Sequence, residues 1–368
     1  CVTEGLAIAS VAAPALGAVL LTLAPRRLLT GVAVGAGLLT ATASLALAVA
    51  ALADPASPEV GRWIVVDAAG GILVGVIGAV GLASVIVSPA YLAGASTSVF
   101  ARSRAGRVYW VTLFGFWCVL LAVPLAGNLG AAWLIVEATT AASALLVGYS
   151  GRARALEAGW KYLILTSLGL GVALLGILVL AASAGGGALD ALAWRSLPDT
   201  SFDEETALVA YVLLLGGLAA KIGWAPVHNW LPDAHSEAPP PVSALLSAAL
   251  LPAVLLVAWR TEQALAPAIG VATAEIVLVG FGLASLAVAI PFLWRALPWK
   301  RLLAYSSLEH MGVLALGIGF GSPLALAGVA VHLVGHALAK ALGFYAATPL
   351  LGHDRRASAR AARGVATS

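Results

Sequence analysis

The chain has 368 residues, of which only 10% are charged and 61% hydrophobic, with a mean hydropathy of +1.00; such values exclude a soluble domain and point to a polytopic membrane protein. The net charge of +3 is no sign of a nucleic-acid partner, because the basic residues sit in short segments between apolar runs, where they set topology. Two cysteines, Cys1 and Cys118, are too few for a disulfide framework and form no CxxC pair for zinc or an iron–sulfur cluster.

Apolar runs of roughly 20 residues, enough to span a bilayer, fall at 6–24, 30–53, 69–93, 107–126, 129–149, 160–183, 206–231, 241–259, 271–294, 302–320 and 323–349. The expected fold is an all-α polytopic membrane protein of about 11 transmembrane helices. Small-residue pairs at Gly31 and Gly35, Gly71 and Gly75, and Gly317 and Gly321 predict close helix packing. Tryptophans flanking the runs, such as Trp63, Trp160, Trp194 and Trp299, predict an interfacial belt.

Alternate loops differ sharply in charge. One side collects Arg26, Arg27, Arg102, Arg104, Arg107, Arg152, Arg154, Lys161, Arg295, Lys300, Arg301, Arg355, Arg356, Arg360 and Arg363; the other has only Arg62, Arg195 and Arg260. The positive-inside rule makes the first side cytoplasmic. The expectation is a multi-pass protein of the cell inner (plasma) membrane with its N-terminus outside and its C-terminal tail cytoplasmic. Two basic residues remain, Lys221 and Lys340, both inside apolar runs.

Among the acids, Glu137, Glu275 and Glu309 fall within runs, and Glu137 stands in the middle of LGAAWLIVEATTAASALLVGY. A carboxylate there either takes up a proton or finds a counter-charge. Lys221 is the expected partner. It follows YVLLLGGLAA and opens the stretch KIGWAPVHNWLPDAHSEAPPPVSALL, which holds His228, His235, two carboxylates and five prolines. Pro226 lacks an N–H and disfavours helix at Ala225, so the helix should break about one turn beyond the lysine. A break at membrane depth is tolerated only inside protein or beside water, and freed carbonyls next to a buried lysine are parts from which ion sites are built.

Toward the end of the chain, KRLLAYSSLEHMG carries Glu309 and His310 just past a basic cluster, and VHLVGHALAK places His332, His336 and Lys340 at i, i+4 and i+8. That spacing aligns the three on one helix face. Without HExxH or a third ligand it favours a hydrated proton path over a metal site. No motif for a nicotinamide, flavin, iron–sulfur or quinone site is present, so no cofactor is expected.

KIGWAPVHNWLPDAHSEAPPPVSALL, KRLLAYSSLEHMG and HALAKAL resemble signature stretches of the antiporter-like membrane subunits shared by respiratory complex I, Mrp cation/proton antiporters and membrane-bound hydrogenases. NLGAAWLIVEATTAASALLVGY, EAGWKYLILTSLGLGVALLG and the form YSSLEHMG are similar to component F of the hydrogenase-4 and formate hydrogenlyase group in particular. The resemblance runs from about Asp67 to Arg363. It implies two five-helix bundles related by inverted topology, each with a broken helix, here the seventh and eleventh. Residues 1–106 would hold three N-terminal helices, 107–260 the first repeat, and 261–368 three helices of an incomplete second repeat with a basic tail.

The resemblance also implies a proton-translocating role inside an oxidoreductase complex whose redox centres lie in other subunits. Glu137 and Lys221 match the pair thought to control proton uptake, and His336 and Lys340 fall in the second polar axis. With His228, His235, Glu309 and His332 they make up the expected proton path. The partners implied are other membrane subunits, the lipid bilayer, and protons or, in an Mrp-like assembly, Na⁺ or K⁺; a degenerate anchor subunit is the remaining alternative. Two departures stand out. Many family members carry a lysine on the eighth helix, where this chain has Pro252, leaving the central link to water, Ser243, Ser247 or a histidine; and the helix expected after Ser368 is missing, which suggests a fragment.

Overall fold

In lipid every backbone N–H and C=O needs a partner within the protein, so long apolar runs resolve as helices. The computed structural model describes residues 2–54, 59–60, 63–94, 102–184 and 188–353; Cys1, Arg62, Arg355, Arg356, Arg360 and Arg363 lie outside the described residues. Among the described residues, eleven segments are long and apolar enough to cross a membrane. They are built from α1 (Val2–Leu23), α2 (Leu29–Ala53), α3 (Ala68–Gly94), α4 (Arg102–Ala122), α5 (Leu129–Val147), α6 (Ala153–Ser183), α8 (Glu204–Ile222), the span of α10 (Pro240–Leu245) and α11 (Leu251–Ile269), α12 (Val271–Leu293), α13 (Trp299–Gly319) and α14 (Pro323–His353). Two short helices do not span: α7 (Ala188–Ala191) and α9 (Trp230–Glu237). A two-residue strand, Glu59–Val60, pairs antiparallel with Val65–Val66.

The α10–α11 span is the axis of the molecule: nearly all of its residues are buried, whereas the other spans keep an outward apolar side. Around it pack α3, α8, α12 and α14. The loops divide between two ends. At one, Arg107 donates to the Leu21, Thr22 and Ala24 carbonyls that finish α1. Arg152 pairs with Glu237, and Lys161 and Arg301 share Asp233. This is the basic face. At the other end Arg260 donates to the Pro124 carbonyl and to Asp67, both at 2.8 Å.

Arg260 is therefore not the free loop charge expected of it. It is buried in α11 and ties α3, α11 and the α4–α5 turn together, because a guanidinium can leave water only where its donors are satisfied. The expected break in the eleventh span is absent too: α14 is one uninterrupted helix, since between Pro323 and Phe344 the sequence offers no proline. The glycine pairs divide. A first side-chain carbon at Gly71 or Gly75 would press on Ala51 or Ala48, and one at Gly317 on Val329, whereas at Gly31 and Gly35 it would meet nothing within 4 Å. A spacing rule does not say which side of a helix faces lipid.

Trp63, in the loop before α3, and Trp160, two turns into α6, are exposed, but Trp110, Trp117, Trp224 and Trp230 are fully buried. The belt accordingly holds for only part of the set. Each buried indole N–H of Trp117, Trp224 and Trp230 donates to a carbonyl, of Ile77, Met311 and Ala220 respectively, which is how an indole is accommodated inside a core.

Candidate functional site

The helix carrying Lys221 stops earlier than Pro226 requires, at Ile222, one residue and not one turn beyond the lysine, because Gly223 closes it first. Asp203 caps the start of α8, accepting from the Thr206 N–H at 3.1 Å. Gly223, in the left-handed region at φ 81°, closes its end with the Gly223 and Trp224 N–H groups both on the Ala219 carbonyl. The chain then crosses Pro226 and restarts as α9, whose Trp230 donates to the Ala220 carbonyl at 2.6 Å and packs on Tyr162 with ring centroids 4.7 Å apart.

Lys221 is fully buried. Its Nζ donates to Thr140 Oγ1 at 2.7 Å and to the Tyr162 hydroxyl at 2.6 Å, and lies 4.7 Å from the centre of the Tyr162 ring. Neither acceptor is charged. Thr140 in turn donates to Glu137 Oε2 at 3.5 Å, while Ser167 donates to Oε1 at 2.6 Å. Glu137 and Lys221 thus belong to one network but do not touch: a single threonine hydroxyl stands between them. At an effective dielectric of about 20, unit charges about 6 Å apart interact by roughly 3 kcal/mol. A second branch leads from Tyr162 to Ser143 at 2.7 Å. Glu137 itself is only half-buried, with its carboxylate turned to Ser167 of α6.

α6 and α8 come close enough for this because small residues meet at the crossing. A side-chain carbon at Gly169 would lie 2.3 Å from the Ala220 methyl, and one at Gly217 would lie 2.4 Å from the Ala173 nitrogen. Tyr162 and Lys221 face each other across that crossing.

A second polar group forms where α13 and α14 meet the axis. His310 Nδ1 and His332 Nε2 are 2.8 Å apart, and the His310 and His336 rings are 5.1 Å apart. His336 Nε2 lies 3.2 Å from the Ser247 carbonyl, and its buried Nδ1 has no partner among the described residues. Lys340, also buried, reaches the Leu303 carbonyl at 3.4 Å. Glu309 stands beside it, half-buried and near enough to act on both Lys340 and His332. The expected stripe is joined by His310, which a reading of α13 alone leaves at the interface.

His235, on α9, is fully buried and stacked on Phe344 with centroids 5.2 Å apart, and among the described residues neither ring nitrogen has a partner in good hydrogen-bond geometry. Burial first, then the nearby Lys300 and Lys340, push it down to about 3, so the ring is neutral. Lys300, expected among the topogenic loop charges, is instead buried, donating to the Ser236 and Ala238 carbonyls at the end of α9, where a cation suits the helix terminus. His228 lies half-buried in the break, with burial lowering its pKa; no hydrogen bond among the described residues ties it to either cluster. Also among the described residues, no three His, Cys, Asp or Glu side chains are arranged to hold a metal ion.

Residues 126–365, which include both clusters, match the profile of the NADH:quinone oxidoreductase/Mrp antiporter transmembrane family. The chain belongs to that family. A hydrogenase-4 component F homolog of Methylacidiphilum infernorum is 35% identical over 244 residues, covering 65% of this chain and 50% of the relative. The NADH-quinone oxidoreductase subunit N of Desulforudis audaxviator is 28% identical over 304 residues, covering 79% and 56%. The chain spans about half the length of these curated relatives. Its fold is that of a chain in the membrane-bound sulfane sulfur reductase, an archaeal respiratory membrane complex, with a TM-score of 0.82 at 20% identity over 95% of this chain and 71% of that one.

Set against the antiporter family's pattern, the departure at Pro252 is local. The axis stays continuous through it by widening into a π-turn at Leu246–Leu250. The residues missed in the sequence are Thr140, Tyr162, Lys300 and His310. Thr140, three residues from Glu137 on the same helix face, carried a usable signal; Tyr162, in an apolar run, carried none.

Proposed function

We propose that this antiporter-family chain is a proton-translocating membrane subunit of a redox-driven complex of the hydrogenase-4 and complex I type. The observation that carries the reading is the placement of Lys221: a lysine fully buried at a helix break, held by two neutral hydroxyls, with its counter-charge one hydroxyl away. A direct ion pair would lock both charges, and an isolated amine would stay neutral. The intermediate arrangement makes the lysine's hold on its proton depend on where Glu137 stands. Glu137 is only half-buried, so a movement of a neighbouring membrane subunit could reach it. A released proton would pass from the Lys221 cluster toward His336, His310, His332 and Lys340, with the basic face toward the cytoplasm.

The test is transport by the full-length protein in its native complex, reconstituted in vesicles containing a pH-sensitive dye and driven by the complex's own redox reaction. The expected result is proton movement that persists in buffers free of Na⁺ and K⁺. Proton movement only when Na⁺ or K⁺ is present would assign the chain to cation exchange, and none under any condition would leave it an anchor; either outcome overturns the proposal.

A further inference from the structure

In an α-helix the Ser247 carbonyl would accept from the N–H of residue 251. Here the Leu251 N–H bonds instead to the Leu246 carbonyl, one residue further back. In a continuing π-turn the Ser247 carbonyl would accept from residue 252. That residue is Pro252, which has no N–H to give. The Ser247 carbonyl is therefore left out of the helix ladder on both counts, in the most buried span of the molecule, where an unpaired carbonyl is costly. Its partner is His336, with Nε2 3.2 Å away.

A carbonyl oxygen can only accept, so His336 must carry its proton on Nε2. Its Nδ1 is then a bare lone pair, buried and without a partner among the described residues. The groups near it are His310, whose ring lies 5.1 Å away, His332 and Lys340.

We propose that Pro252 is a positioning residue for the histidine cluster: by keeping the Ser247 carbonyl free, it fixes His336 as the Nε2–H tautomer and leaves Nδ1 open to receive a proton. The inference rests on the proton-translocation reading and gives a positive role to the residue that stands where the resemblance implies a lysine. A proton that arrives is taken up at Nδ1, giving an imidazolium whose Nε2–H stays on the Ser247 carbonyl. The same Nδ1 then gives that proton up to the next base of the cluster, so the ring returns to the Nε2–H form with one proton passed on for each it accepts. Neighbouring Ser247 Oγ, 2.7 Å from Ser307 Oγ, continues the polar strip across to α13.

Pro252→Ala tests this, because either way the helix relaxes it takes the Ser247 carbonyl back. If the π-turn persists, the new N–H at position 252 bonds to it; if the turn tightens to α geometry, the Leu251 N–H does. Removing a proline from a helix interior is not expected to impair folding. The measurement is nitrogen-15 NMR of the full-length protein labelled at histidine, with the His336 signals assigned by their loss in His336→Gln. Wild type should show the Nε2–H form, Pro252→Ala should shift toward Nδ1–H, and proton translocation should fall about tenfold. An Nδ1–H ring in wild type, or a tautomer unmoved by Pro252→Ala, overturns the inference without touching the proton-translocation reading, which Lys221→Ala tests. A shifted tautomer with wild-type transport overturns the claim that the relay depends on it.

Discussion

Lys221→Ala should abolish proton translocation while the protein still folds and assembles. The lysine gives its proton donors to Thr140 and Tyr162, and both hydroxyls have a second partner, Glu137 for the first and Ser143 for the second. Removing the amine leaves these neutral groups paired, and Glu137, which loses its counter-charge, is only half-buried and keeps Ser167 and Thr140 as donors, so the fold tolerates the change. What disappears is the one group at the break that can take up and release a proton beside Glu137. A loss of roughly 100-fold or more is expected, the equivalent of the roughly 3 kcal/mol that two charges at that separation share. Dye-detected proton movement in reconstituted vesicles reads the rate, and size-exclusion chromatography of the complex reads assembly. Wild-type rates would remove Lys221 from the mechanism.

Gly217→Ala should damage the molecule more than any other single methyl added to α8. The added carbon would lie 2.4 Å from the Ala173 nitrogen and 2.5 Å from the Gly169 carbonyl oxygen. Both are backbone atoms of α6, which cannot swing aside as a side chain can, so the two helices must part. Overpacking of a core costs roughly 1–3 kcal/mol, and a backbone clash belongs at the upper end. Gly216→Ala is the matched control: nothing lies within 4 Å of its position, and the gain in helix propensity should leave it neutral or slightly stabilised. Thermal unfolding of the two variants in the same detergent separates these outcomes. Because Lys221 is one turn further along α8, Gly217→Ala should also lose translocation as the Lys221–Tyr162 contact opens. Equal melting temperatures for the two variants would contradict the packing described.

The contrast between these glycines shows what the chain discloses before it folds. Spans, loop charge and the break after Lys221 follow from local chemistry: lipid enforces helices, arginines mark one end, and Pro226 cannot continue a helix. Which glycine matters does not follow, since Gly31 and Gly217 look alike until the neighbouring helix is in place. The same holds for charge. Lys300 stands in a basic loop segment and reads as topogenic, yet tertiary packing carries it inward to the end of α9. That Glu137 and Lys221 would fall in one network was legible because each is anomalous in an apolar run, but the direct pair expected of them is not what forms: Thr140 stands between. The hydroxyl between them left only the weaker signal of its i+3 spacing from Glu137, and Tyr162, on another helix, left none. Pro252 was legible only as a departure; its use of the Ser247 carbonyl depends on where α14 lies.

The central claim is that Lys221 senses Glu137 through Thr140, and a double-mutant cycle on Glu137→Gln and Thr140→Val tests it most directly, with initial rates of proton translocation as the readout. If the threonine acts only as the bridge, each single variant slows translocation and the double variant is no slower than Glu137→Gln alone. If the two losses multiply, or if neither single variant changes the rate, Thr140 does not connect the pair and the account is contradicted.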